Sequence, residues 1–171
     1  MMWKLLSALL LLAGSALADD AAPKQIGSSG NWTAYTMQEG KAQICYALTQ
    51  PSKQDDKLKG RAKSHLLVTH RPAEKTFNVV SIELGYDVAP DAAAAVTVGK
   101  DKDKFDFFTK QQTAWARDAD TDKATVTAMA KATDMTVKAK PAKGADTTDS
   151  YALAGFPEML KKIDEACKVK R

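Results

Sequence analysis

The feature of this chain that most restricts its fold is an alternation of apolar and polar residues with period two, repeated in short segments. Trp32–Met37, Gln43–Leu48, Ser64–Arg71 and Phe77–Leu84 carry it most clearly, and Ala94–Val98, Phe105–Phe108, Thr113–Ala116, Met135–Lys140 and Ser150–Leu153 follow. Successive side chains of a strand point to opposite faces, so such a pattern sets one face on a core and the other toward water. Turn-forming residues separate the segments, at Gly40, Pro72, Gly85 and Pro90-Asp91. Short strands so punctuated predict a mainly β domain, an antiparallel β-sandwich of jelly-roll-like type.

Two helices interrupt the pattern. Asp120 or Thr121 is placed to cap a short middle helix running through Val126 and Met129 to about Lys131. A second begins at Pro157, a favoured first-turn position for proline. Along it Leu160, Ile163 and Cys167 form an apolar stripe, with Lys161, Lys162, Asp164, Glu165 and Lys168 expected to face away.

The first 18 residues, MMWKLLSALLLLAGSALA, follow another rule. Lys4, the apolar run Leu5–Ala13 and Ala16-Leu17-Ala18 before Asp19 have the order of a secretory signal cleaved near Ala18. The run is too short to span a bilayer, and no other approaches the roughly 20 residues required. The expected mature chain therefore has a flexible lead over 19–30, one domain over 31–171 and no transmembrane segment. It is expected to be periplasmic, or secreted and associated with the outer envelope.

That compartment gives the two cysteines a meaning. An even count in an oxidising environment reads as a disulfide, here Cys45–Cys167, with two free buried thiols or an intermolecular pair as the alternatives. Cys45 lies in an early strand and Cys167 on the inward stripe of the last helix, so the bridge would pin that helix to the sheet.

A search for chemistry yields little. Asp118-x-Asp120-x-Asp122 begins like a calcium loop, but Lys123 stands where glycine is needed and Met129 where a bidentate Glu is needed. Asp101-x-Asp103 fails similarly at Phe105 and Gln112. His65 and His70 are five apart, which in a strand puts them on opposite faces and prevents a shared site. Asn31-Trp32-Thr33 matches a glycosylation pattern, yet Trp32 reads better as the start of a core strand. There is no nucleophile elbow, phosphate loop or C-x-x-C pair. The expectation is a protein that is no enzyme, with no catalytic residue, cofactor or metal set.

The net charge of +4 mixes both signs along the chain, which is not a nucleic-acid signature. One segment stands out: Lys53–Lys63 (KQDDKLKGRAK) holds five basic residues against two acidic ones. Read as a flexible loop, it offers Lys53, Lys57, Lys59, Arg61 and Lys63 to an anionic partner, joined by Lys161, Lys162, Lys168, Lys170 and Arg171. An ordinary solvated loop is the bland alternative.

Taken in order, Trp32, Cys45-Tyr46-Ala47-Leu48-x-x-Pro51 and Val68-Thr69-His70-Arg71-Pro72-Ala73-Glu74-Lys75 resemble the invasion-associated locus B proteins of alphaproteobacteria. The similarity continues through Gly85-Tyr86, Lys104-Phe105, Ala114-Trp115-Ala116, Val126-x-Ala128-Met129 and Lys131. It ends in Asp149-Ser150-Tyr151-Ala152-Leu153-x-Gly155-Phe156 and the helix to Ala166-Cys167. The chain departs at Ala132 and Ala139, where the family carries Gly, and at Lys143-Gly144, where it carries Arg-Gly. The resemblance implies an exported β-rich envelope protein, virulence-associated in some members, with an envelope or host partner of unknown identity. It implies no catalytic residues. The expected function is therefore a non-enzymatic protein that binds a protein, lipid or glycan. The rivals are a periplasmic carboxylate-based hydrolase, which needs a cleft with converging acids, and an apolar-ligand carrier, which needs a deep cavity.

Overall fold

A computed structural model describes residues 22–100 and 103–170. The signal expected over 1–18, Asp101 and Arg171 lie outside the described residues. Among the described residues ten strands form one antiparallel sheet: β1 (Lys24–Ser29), β2 (Trp32–Glu39), β3 (Ala42–Thr49), β4 (His65–Arg71), β5 (Thr76–Glu83), β6 (Ala93–Val98), β7 (Asp103–Lys110), β8 (Thr113–Trp115), β9 (Asp134–Ala139) and β10 (Thr147–Ala152). Their order is β1-β2-β3-β4-β5-β8-β7-β6-β9-β10. Helix α1 (Ala119–Met129) packs on β5, β6 and β7, and α2 (Phe156–Cys167) on β1 to β4.

The mainly β antiparallel class is as the alternation predicts, with a sandwich-like core made by one curled sheet. Trp32 of β2 donates its indole N–H to the Ala152 carbonyl of β10 at 3.0 Å, and Lys53 bridges Ser150 antiparallel. Strands far apart in the sheet order thus meet across a single core. Inward positions hold Trp32, Cys45, Ala47, Leu66, Val68, Ile82, Phe107, Met135 and Tyr151, all fully buried. Trp32 opens β2 as a core residue and packs on Phe156 of α2 at 4.7 Å between ring centroids.

Cys45 and Cys167 are bonded, with Cα atoms 6.0 Å apart. The stripe Leu160, Ile163 and Cys167 is buried, extended by Phe156 and Met159. Gly155 caps α2 at φ 91°, and a Cβ there would lie 2.1 Å from the Ser29 carbonyl oxygen. Only glycine lets the β1–β2 turn and the start of α2 approach so closely.

Four expectations need correction. The lead read as loose contains β1, paired with β2 and bulged between Gln25 and Gly27. Ile26 is its single large apolar residue, too few to show a period, while the Gly27 backbone fits beneath Met159. The cap of α1 is Asp118, whose extended backbone lets its carboxylate accept the Thr121 N–H at 2.7 Å. Asp164 does not face away: it is buried and accepts from His70 Nε2 at 2.9 Å. Four residues after Leu160 and three before Cys167, it borders the inward stripe. Arg61, the fourth, is buried and paired with Asp149 and not exposed on a flexible loop.

The last acid of the calcium-like run has a structural task. Strand β8 ends where Trp115 pairs with Ser81, leaving the Val80 N–H beyond it, and Asp122 accepts that N–H at 2.8 Å. The carboxylate continues the ladder from a helix. Burial pushes the Asp122 carboxyl up to about 6, against the pull of that N–H. A folded-state value above the ordinary 3.8 means folding takes up a proton, so this contribution is fully present below about pH 4. It is lost as the pH rises through about 6, at a cost of up to ~3 kcal/mol. Asp122→Asn keeps an acceptor without the charge. It is expected to raise the urea midpoint at pH 7.5 and flatten its decline between pH 4 and 7; an unaltered decline would place the titration elsewhere.

Candidate binding site at the loop end of the sheet

Three connections meet at one end of the sheet: residues 50–64, 84–92 and 140–146. Their meeting point is organised from β10, whose inward positions are Thr147, Asp149 and Tyr151, all buried. Period two carries an acid into the core at Asp149, and a buried carboxylate needs a cation.

Arg61 supplies it. Its guanidinium forms a bidentate pair with Asp149, through Nη1 to Oδ1 at 2.9 Å and Nη2 to Oδ2, with side chains 2% and 1% exposed. Nε donates to the Leu84 carbonyl at 2.9 Å and Nη1 to the Asp55 carbonyl at 3.0 Å. The guanidinium carbon sits 4.9 Å from the centroid of the Tyr86 ring. Burial alone would lower the Arg61 pKa, but Asp149 more than reverses this and holds the group above the ordinary arginine value.

Further bonds tie the loops. Asp149 Oδ1 accepts the Asp55 N–H at 2.9 Å, and the Asp55 carboxylate accepts the N–H groups of Lys57 and Thr148 at 3.1 and 3.2 Å. Those contacts, led by Lys57, hold the Asp55 carboxyl below the usual range. Tyr86 Oη and Thr147 Oγ1 are 2.6 Å apart. Ser64 spends its one hydroxyl proton on the Glu83 carbonyl, so Tyr151 donates to Ser64 at 2.6 Å. Burial pushes both tyrosine pKa values up, that of Tyr86 and more strongly that of Tyr151.

Over this network lies a hollow of about 440 Å³ lined by Leu58, Lys59, Tyr86, Gln112, Pro141 and Lys143. Gly85 and Gln112 also border a second hollow of about 420 Å³, which reaches Lys63, His65 and Glu83. Gly85 has φ 75°, and a Cβ there would come within 2.3 Å of the Ala62 carbonyl oxygen.

Of the basic residues expected to meet an anionic partner, Lys53, Lys57, Lys59 and Lys63 are exposed here. Lys57 is engaged by Asp55 at 3.2 Å. Arg61 is not surface: it is the buried brace that fixes the loop read as flexible. Composition cannot distinguish it from its lysine neighbours, although the inward register of Asp149 signals that some cation must come to it. Lys161, Lys168 and Lys170 line a separate open groove beside α2.

His65 and His70 lie on opposite faces of β4. His65 Nδ1 is 3.2 Å from Glu83 on the outer face. His70 is fully buried; its Nδ1 accepts the Asn78 N–H at 3.0 Å, so Nε2 carries the proton given to Asp164. Among the described residues no group of three or more His, Cys, Asp or Glu is placed to hold a metal ion, and no helix is long and apolar enough to cross a membrane.

Fold and site together define a mainly β domain, closed by a disulfide from its last helix, with a loop-built polar hollow at one end. The chain belongs to the Invasion associated locus B (IalB) protein family, matching it over residues 32–164. No curated protein and no solved structure matches it.

Proposed function

We propose that this is an exported, non-enzymatic protein of the cell envelope that binds an anionic glycan, lipid or protein partner through its loop end. The observation that carries the reading is the loop end itself. Among the described residues Lys53, Lys59, Lys63 and Lys143 make no ion pair. The buried Arg61–Asp149 brace holds the loop of the first three, and the Ala142 N–H to Asp87 carbonyl bond at 2.8 Å holds that of Lys143. Pre-positioned cations around a polar hollow favour an anionic partner. Export is supported by the leading 18 residues, and the disulfide fits an oxidising compartment.

The hydrolase reading would need an accessible acid, and two of the groups that could serve it are closed off: His70 and Asp149 are 0% and 1% exposed. Trp32, Phe107, Tyr151 and Phe156 fill the space that an apolar carrier would leave open.

The test is photocrosslinking in intact cells of the native bacterium, with the crosslinker at Lys59 and, as control, at Lys123 on α1. Discrete adducts at Lys59 only, from protein whose mature mass begins at Asp19, are the expected result. Absence of adducts at Lys59, or recovery of the uncleaved chain in the cytoplasm, counts against the proposal.

A further inference from the structure

We infer that the hollow between Lys59, Tyr86 and Lys143 is a subsite for one phosphorylated sugar unit. The inference rests on the reading of the loop end as the binding end and narrows it to a ligand chemistry. At about 440 Å³ the hollow lies toward the small end of ligand pockets, roughly 300–1,000 Å³.

Its walls divide by chemistry. Lys59 and Lys143 stand on two different loops, both exposed and neither ion-paired among the described residues. Two ammonium point charges match a phosphate monoester, which carries about −1.5 to −2 charge near neutral pH, better than the single charge of a carboxylate. The one arginine here is committed to Asp149 and 2% exposed. Tyr86, Pro141 and Leu58, in the same lining, offer apolar surface to the C–H face of a sugar ring. Gln112 donates to Asp87 at 3.1 Å, which leaves its side-chain oxygen to accept from a sugar hydroxyl. Asp87, the one acid of the lining, is a second such acceptor and disfavours an anion on its own side. The lining therefore combines two ammonium groups with hydroxyl-binding acceptors.

The buried brace below supports the same conclusion. A buried ion pair is seldom worth more to stability than apolar side chains of equal volume. This one ties residues 55, 61, 84 and 149 together, and the Ala142 N–H to Asp87 carbonyl bond at 2.8 Å adds the third loop, so that those bearing Lys59, Tyr86 and Lys143 keep their spacing without a ligand. Pre-organised loops lose less entropy on binding.

The experiment is a titration of the oxidised, isotope-labelled protein with glucose 6-phosphate, followed by amide NMR. Glucose, inorganic phosphate and galacturonate are run alongside. Expected are saturable shifts at Lys59–Arg61, Gly85–Asp87 and Ala142–Gly144, weaker ones with phosphate and none with glucose. Lys59→Ala/Lys143→Ala is expected to weaken binding at least about tenfold, with an unchanged unfolding midpoint. Vesicles bearing a phosphorylated glycolipid bind as well if the sugar is lipid-borne, and do not if the ligand is free. No saturable shift up to about 20 mM, equal binding of galacturonate, or an unaffected double variant overturns the inference. Adducts at Lys59 in cells without sugar-phosphate binding would overturn this inference alone and leave the broader function standing.

Discussion

Serine at Cys45 or at Cys167 is expected to lower the stability of the oxidised protein by about 4–5 kcal/mol, with the double variant no worse than either single one. The bonded residues are 122 apart in sequence, so the bridge removes a very large loop from the unfolded ensemble. In the chain-entropy model that size of loop brings the effect near its upper range. The bond also holds α2 against β3, and on the neighbouring β4 His70 and Asp164 make a second tie between helix and sheet at 2.9 Å. Urea unfolding of wild type and variants, with and without reductant, is the check. Reduced wild type should fall to the level of the serine variants, and losses that add in the double variant would mean the sulfurs are not partners.

Breaking the Arg61–Asp149 pair from one side should cost nearly as much. Arg61→Met leaves Asp149 buried with its charge uncompensated, an arrangement that costs about 3–5 kcal/mol. It also strips the Leu84 and Asp55 carbonyls of their donor. Replacing both partners, as Arg61→Met with Asp149→Leu, should restore a good part of that loss because no buried charge remains. The double-mutant cycle in urea gives the coupling directly, and a value under about 1 kcal/mol would show the pair to be dispensable. The two disruptions differ in reach. Loss of the disulfide acts on the whole unfolded ensemble, whereas loss of Arg61 frees the loops around Lys59 and Tyr86.

The strands from Trp32 onward were legible because period two is a property of a few consecutive residues, each facing one core. The α2 stripe was legible for the same reason with period 3.6, and Phe156 and Met159 only extend it. Elements with little apolar content were not. The single Ile26 of β1 leaves no period, and its strand forms because β2 offers an unpaired edge. The α1 cap shows a subtler failure: Asp118, Asp120 and Asp122 are equivalent in composition, and only the turn of the chain decides that Asp118 caps while Asp122 reaches Val80.

The candidate site divides along the same line. Lys53–Lys63 was visible as a basic segment, and Asp149-Ser150-Tyr151 as part of the family pattern, yet nothing local connects them. Their partnership spans 88 residues between Arg61 and Asp149. Local order and helix amphipathicity follow from residues near one another in the chain, since backbone geometry and side-chain alternation act over a few residues. The cysteine pair followed from their number and the expected compartment, and the family from the order of its motifs. Which lysines face the hollow, that Arg61 is a brace and not a contact, and that Asp164 serves His70 follow from the folded chain alone. Burial turns a charge from a surface feature into a group that must find its counterpart, and only tertiary packing determines which charges are buried.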